Sequence, residues 1–183
     1  MIGTISTIMM LAAPILIIAT GGMICERSGV TNVGLDGLMS IGACTAAIVH
    51  QLLEAAGVGR ISLTVALLAA ALVSMLISVL HAIASVDLKS DQTISGTGIN
   101  LLATGITVFV CQRIYGTDRS TEFKMGMVKD GIGFYPTLYI AIVVVVLAWF
   151  ILYKTPFGMH LRACGEHPAA ADSVGINVRR IRY

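Results

Sequence analysis

The sequence predicts an all-α protein, a polytopic transmembrane helical bundle of about five spans followed by a polar cytoplasmic tail that contains a short helix. Three observations carry this reading. Of the 183 residues 56% are hydrophobic and only 12% are charged, and the mean hydropathy of +0.88 lies far outside the soluble range. At about 20 residues per crossing plus loops, a chain of this length has room for roughly five spans. The segment from Lys154 to Tyr183 is too polar for a lipid interior and holds five of the twelve Lys and Arg residues, which favours the cytoplasmic side.

The first span is read over about 2–25, uncharged until Glu26-Arg27. It lacks the basic start and small-residue cleavage site of a secretory signal, so it is expected to be retained. Pro14 is expected to kink it and Gly21-Gly22 to loosen its end. The second span, about 32–50, opens with Asn32 as a helix cap and Asp36 in the early turns, where a helix N-terminus favours an anion. Gly34, Gly37 and Gly42 leave room there for close approach of a neighbouring backbone.

An outer loop over about 51–60 leads to a third span, about 61–85, where Ser74 and Ser78 share a helical face and can bond to backbone or to a neighbour. Asp87-Leu-Lys-Ser-Asp91 is a short inner turn, with Ser90 or Asp91 to cap the next helix. That fourth span, about 92–112, carries Thr93, Ser95, Thr97, Asn100, Thr104 and Thr107. Several of these lie four apart, so hydroxyls and an amide form a stripe along one side. Such a stripe suits a solute path, and it equally suits hydrogen bonding between helices.

A mixed-charge outer loop follows over about 113–135, with Asp118, Arg119, Glu122, Lys124, Lys129 and Asp130 nearly balancing. The fifth span, about 136–153, ends with Trp149 and Tyr153 near the membrane boundary. Counting back from a cytoplasmic tail puts the N-terminus outside.

In the tail, about 154–183, Pro156 and Gly158 are expected to break the helix leaving the membrane, and Gly165 and Pro168 to make a turn. Pro168-Ala-Ala-Ala-Asp-Ser-Val then gives a short Ala-rich helix that Gly175 ends. The run Gly158-x-x-x-Arg162-Ala163-x-Gly165-Glu166-x-Pro168-x-Ala170-Ala171-x-x-x-Gly175-Ile176-Asn177 resembles the cytoplasmic coupling loop of ABC-transporter permeases of the simple-sugar, nucleoside and branched-chain amino-acid import class. The second span resembles that family's first-half signature, with Asp36 in the place of its acidic residue, and Asp91-Gln-Thr-Ile-Ser-Gly-Thr-Gly-Ile-Asn-Leu-Leu-Ala103 is similar to the nucleoside branch.

The resemblance implies a multi-pass permease subunit of a bacterial plasma membrane, most similar to nucleoside importers. Simple-sugar or branched-chain amino-acid import is the alternative, and a passive channel a more distant one. It implies substrate-path residues among Asn32, Asp36, Ser95, Thr97, Asn100 and Thr104, and ATPase-coupling residues Arg162, Gly165, Glu166, Pro168, Ala170, Ala171 and Gly175. The implied partners are an ABC ATPase subunit, a second permease subunit and an extracytoplasmic solute-binding protein, with membrane lipid around the spans. Family members continue past this loop with further spans, so the chain is expected to stop near the start of the second half.

Other classes fit less well. Cys25, Cys44, Cys111 and Cys164 have no CxxC spacing, and His50, His81, His160 and His167 form no metal-ligand pattern and read as interfacial or loop residues. No cofactor or metal is expected. The spans hold no paired carboxylates or Ser-His arrangement, which argues against an intramembrane enzyme, and there is no GxxxxGK[ST] phosphate loop. A net charge of +2 without a basic soluble domain argues against binding to a nucleic acid polymer.

Overall fold

A computed structural model describes residues 2–118, 120 and 134–183. The expected charges at Arg119, Glu122, Lys124, Lys129 and Asp130 lie outside the described residues. The helices are α1 (Ile2–Arg27), α2 (Leu35–Ala55), α3 (Ile61–Ala82), α4 (Gln92–Tyr115), α5 (Pro136–Lys154), α6 (Pro156–Glu166), α7 (Pro168–Ser173) and α8 (Val178–Arg182), with a π-helical turn at Ile83–Asp87 prolonging α3. Among the described residues five helices are long and apolar enough to cross a membrane. Their large apolar side chains, such as Leu68, Leu76, Leu101 and Val146, are exposed, as lipid-facing side chains are.

The chain divides into two compact units. In the unit formed by 1–31 and 127–183, α1 packs on α5, and α6 packs on α5, α7, α8 and α1. Helix α1 runs through Pro14 and on through Gly21-Gly22 to Arg27. What ends it is Gly29, at φ +81°, where Val30 N–H bonds to Cys25 C=O and Gly29 N–H to Glu26 C=O. This Schellman arrangement satisfies carbonyls that a helix end otherwise leaves open.

In the unit formed by 32–126, α2 packs on α3 and α4. Helix α2 starts at Leu35, so Asn32 is not its cap; the Asn32 side chain instead accepts from Gly34 N–H at 2.9 Å, the local turn that Asn makes readily. At its other end α2 continues through the expected loop residues 51–55, with His50 Nε2 3.2 Å from Glu54 Oε1 one turn on. Ser74 Oγ–H donates to Leu38 C=O of α2 at 3.1 Å, whereas Ser78 bonds to its own helix at Met75 C=O. Asp91 caps α4, its carboxylate accepting from Thr93 N–H at 2.8 Å and Ile94 N–H at 3.2 Å.

Candidate functional site

Two regions hold the residues singled out in the sequence. The first is the face of α4. Its polar stripe divides into two parts with different work. Gly96, Ile99 and Ala103 are buried, and Gly96 and Ala103 meet α2 at Gly34 and Gly37. Asn100 Oδ1 accepts from Gly37 N–H at 2.7 Å while its Nδ2 donates to Val33 C=O at 3.0 Å. Gly37 is in the first turn of α2, where backbone N–H groups have no partner within the helix. Asn100 thus caps α2 from a different helix.

The hydroxyls of Thr97, Thr104 and Thr107 stay on their own helix. Thr97 bonds to Thr93 C=O and Ile94 C=O, Thr104 to Asn100 C=O and Thr107 to Thr104 C=O, all on α4 itself. Thr93, Thr97 and Thr104 are exposed and, at steps of four and seven, share one side of the helix. For Thr97 and Thr104, donating to a backbone carbonyl leaves the hydroxyl oxygen able to accept from a solute. Asp36 is exposed in the first turn of α2.

Ser95 points elsewhere: its hydroxyl is 3.0 Å from Nδ1 of His81, whose Nε2 lies 3.4 Å from Ser85 Oγ in the π turn. His81 is therefore a buried residue near the end of α3 and not a loop residue. His50, also buried, is likewise no loop residue.

The second region is the tail. The helix leaving the membrane, α5, does stop before Pro156, but Gly158 and Gly165 then lie inside a further eleven-residue helix, α6, and the turn falls at His167. Thr155 stands at the corner in an extended conformation, donating its hydroxyl to Ile151 C=O at 2.6 Å and accepting Gly158 N–H at 3.3 Å. Pro156 is the first helical residue, where its missing N–H costs nothing. Gly158 and Gly165 are helical and serve close approach: a Cβ at Gly158 would collide with the Ile151 and Leu152 carbonyl oxygens, and one at Gly165 with the Arg27 carbonyl oxygen.

Arg162 lies over the Tyr153 ring at 5.0 Å, tying α6 back to α5 by a cation–π contact. Arg182, from α8, donates Nε–H to Ser28 C=O at 3.1 Å and Nη2–H to Cys164 C=O at 3.2 Å, so a side chain not singled out in the sequence holds the ends of α1 and α6 together. Burial pushes the Cys164 thiol above its ordinary range, with the Arg182 charge opposing.

Helix α7 ends in a second Schellman motif: Ile176 N–H bonds to Ala171 C=O and Gly175 N–H to Asp172 C=O, with Gly175 at φ +86°. Of the seven coupling candidates, Glu166, Pro168, Ala170 and Gly175 are exposed, Gly165 and Arg162 are half-buried, and Ala171 is 3% exposed. A shallow groove of about 240 Å³ is lined by Ala163, Glu166, Ala170, Val174 and Ile176 among others. Val174, 74% exposed, stands at its rim and was missed in the sequence, although an apolar residue just before a helix-ending Gly is a readable signal.

The chain matches the family described as branched-chain amino acid transport system / permease component over residues 4–183. It is 43% identical to the guanosine ABC transporter permease protein NupQ of Bacillus subtilis (strain 168), over 94% of this chain and 58% of that protein. It is 35% identical to the nucleoside ABC transporter permease protein NupC of Lactococcus lactis subsp. cremoris (strain MG1363), over 98% of this chain and 61% of that one. The putative glucose ABC transporter permease protein TsgC13 of Haloferax volcanii is 31% identical over 99% of this chain. The chain thus spans about six-tenths of the length of the curated relatives it matches. No solved structure matches it at a comparable level of significance. With the family pattern covering nearly every residue and five membrane-length helices beneath it, the chain belongs to the branched-chain amino acid transport permease family, as a multi-pass membrane protein.

Proposed function

We propose that this chain forms the membrane-spanning part of an importer permease for nucleosides, driven by a separate ATPase that docks on the exposed side of α7. A second permease chain and an extracytoplasmic solute-binding protein complete the transporter in this reading. The observation that carries it is the match to two relatives named for guanosine and nucleosides, at 43% and 35% identity over nearly the whole chain. The exposed threonine side of α4 supports it physically, since it offers hydroxyl acceptors to the N–H and O–H groups of a purine nucleoside without opening any bond within the fold. A simple sugar is the second reading, favoured by the 31% identity to the glucose-named relative, because a hydroxyl stripe serves a sugar as well as a ribose.

The test is uptake of labelled guanosine and of labelled glucose by cells expressing the permease with its ATPase and binding protein. Guanosine accumulation that excess glucose does not compete away is expected. Thr97→Val and Thr104→Val together are expected to lower it roughly tenfold, the loss of about one hydrogen bond to a solute. Glucose uptake without guanosine uptake would replace the substrate, and unchanged guanosine uptake in the double variant would remove α4 from the path.

The docking proposal has its own variant. Ala170, like Ala169, is exposed on α7 and Ala171 is buried, so Arg at 171 would disturb the tail's own packing while Arg at 170 alters only the outer face. Ala170→Arg costs only tenths of a kcal/mol in helix propensity. It is expected to lose most of the ATPase in copurification while the permease reaches the membrane at wild-type levels. Equal recovery of ATPase with both proteins would move the docking surface off this face.

A further inference from the structure

Two of the four cysteines come together although nothing in the sequence joins them. Cys44 of α2 and Cys111 of α4 are 67 positions apart in the chain, and their sulfurs are 4.0 Å apart. Both are free thiols and half-buried. They belong to one unit, whereas Cys25 and Cys164 belong to the other.

The helices that carry the pair are held in register elsewhere. The Asn100 amide bonds α4 to Gly37 N–H and Val33 C=O of the other segment, and Gly96 admits the backbone of Gly34 so closely that a Cβ there would lie 2.8 Å from Gly34 N. The sulfur contact is thus set by a fixed helix interface and does not depend on the drift of two loose elements. A disulfide requires sulfurs about 2.05 Å apart. Closing the remaining gap of about 2 Å is within the travel of two Cys side chains rotating about their Cα–Cβ bonds.

We propose that Cys44 and Cys111 are a redox modification site, a dithiol that closes to a disulfide and staples α2 to α4. In that step two S–H bonds break and one S–S bond forms, and two electrons and two protons leave. A membrane-soluble quinone takes up both electrons and both protons and departs as the quinol. Small dithiols reverse the reaction by exchange. The closed form holds α2 and α4 at two places, the Asn100 amide and the disulfide, so neither helix slides or rolls against the other.

The experiment treats the protein in its native membranes with diamide, which accepts two electrons and two protons from a thiol pair. The protein is then unfolded, remaining thiols are blocked with N-ethylmaleimide, and the digest is analysed by mass spectrometry. The expected product is a linked peptide pair containing Cys44 and Cys111, two hydrogens lighter than the separate peptides and lost on treatment with dithiothreitol. Cys25 and Cys164 are expected to carry maleimide. The linked species is expected to vanish in Cys44→Ser and in Cys111→Ser, but the decisive sample is the wild-type chain, so the stability of the variants does not enter. Maleimide on both Cys44 and Cys111 after oxidation, or links from either to Cys25 or Cys164 in equal yield, would overturn the proposal.

Discussion

Replacing Gly158 by alanine is expected to destabilise the protein by roughly 3 kcal/mol, the upper part of the range for forcing atoms into packed space. The added Cβ would run into the carbonyl oxygens of Ile151 and Leu152, which are backbone atoms of the last turn of α5 and cannot swing aside as a side chain tip can. Relief would have to come from moving α6 off α5. That would break the Thr155 corner, which joins the two helices through Ile151 C=O and Gly158 N–H. Gly98→Ala is the control, because Gly98 is also helical but has nothing within 4 Å of its Cβ position. There the better helix propensity of alanine is expected to be neutral or to add up to about 1 kcal/mol. Thermal unfolding in detergent, followed by size-exclusion chromatography of the remaining folded species, separates the two. A Gly158→Ala protein that melts with the wild type would mean that α5 and α6 do not meet this closely.

The second large effect is expected at Asn100. Leucine there removes an acceptor from Gly37 N–H, in a part-buried bond, and a donor from Val33 C=O, in an exposed one. At about 1–3 kcal/mol for a buried polar group left without a partner, and less for the exposed bond to Val33, Asn100→Leu is expected to cost roughly 1–3 kcal/mol. Thr104→Val, by contrast, removes a hydroxyl bonded only within α4 and is expected to cost under about 1 kcal/mol. The same melting experiment compares them, with guanosine uptake measured beside it. If Asn100→Leu abolished uptake yet melted like the wild type, the amide would be acting on a solute and not on α2.

Hydropathy was enough to read the five membrane-length helices, because burying apolar side chains in lipid is a property of a segment and needs no partner. The Asp91 cap and the stop at Gly175 were legible for a similar reason, since both act within a few residues of their own position. What could not be read depends on residues far apart in the chain. Gly158 and Gly165 look like breakers by propensity, and only the backbones of α5 and of Arg27 lying against them make a side chain intolerable and a helical glycine useful. Asn100 read equally well as a path residue or a packing residue until Val33 and Gly37 were found within its reach. The Cys44 and Cys111 pair left no trace in spacing, because helices pair by face and sequence spacing does not record which faces meet.

The Arg182 contact also bears on the order in which the chain becomes complete. Ser28 directly follows α1, and the guanidinium that satisfies its carbonyl is 154 positions later in the chain. At a synthesis rate of about 5–20 residues per second, that carbonyl waits roughly eight to thirty seconds for its partner. During the interval water or the translocation machinery must serve it, and the end of α1 remains free to adjust while the intervening helices insert. Arg182 then fixes the end of α1, so this part of the fold is completed only when position 182 has left the ribosome.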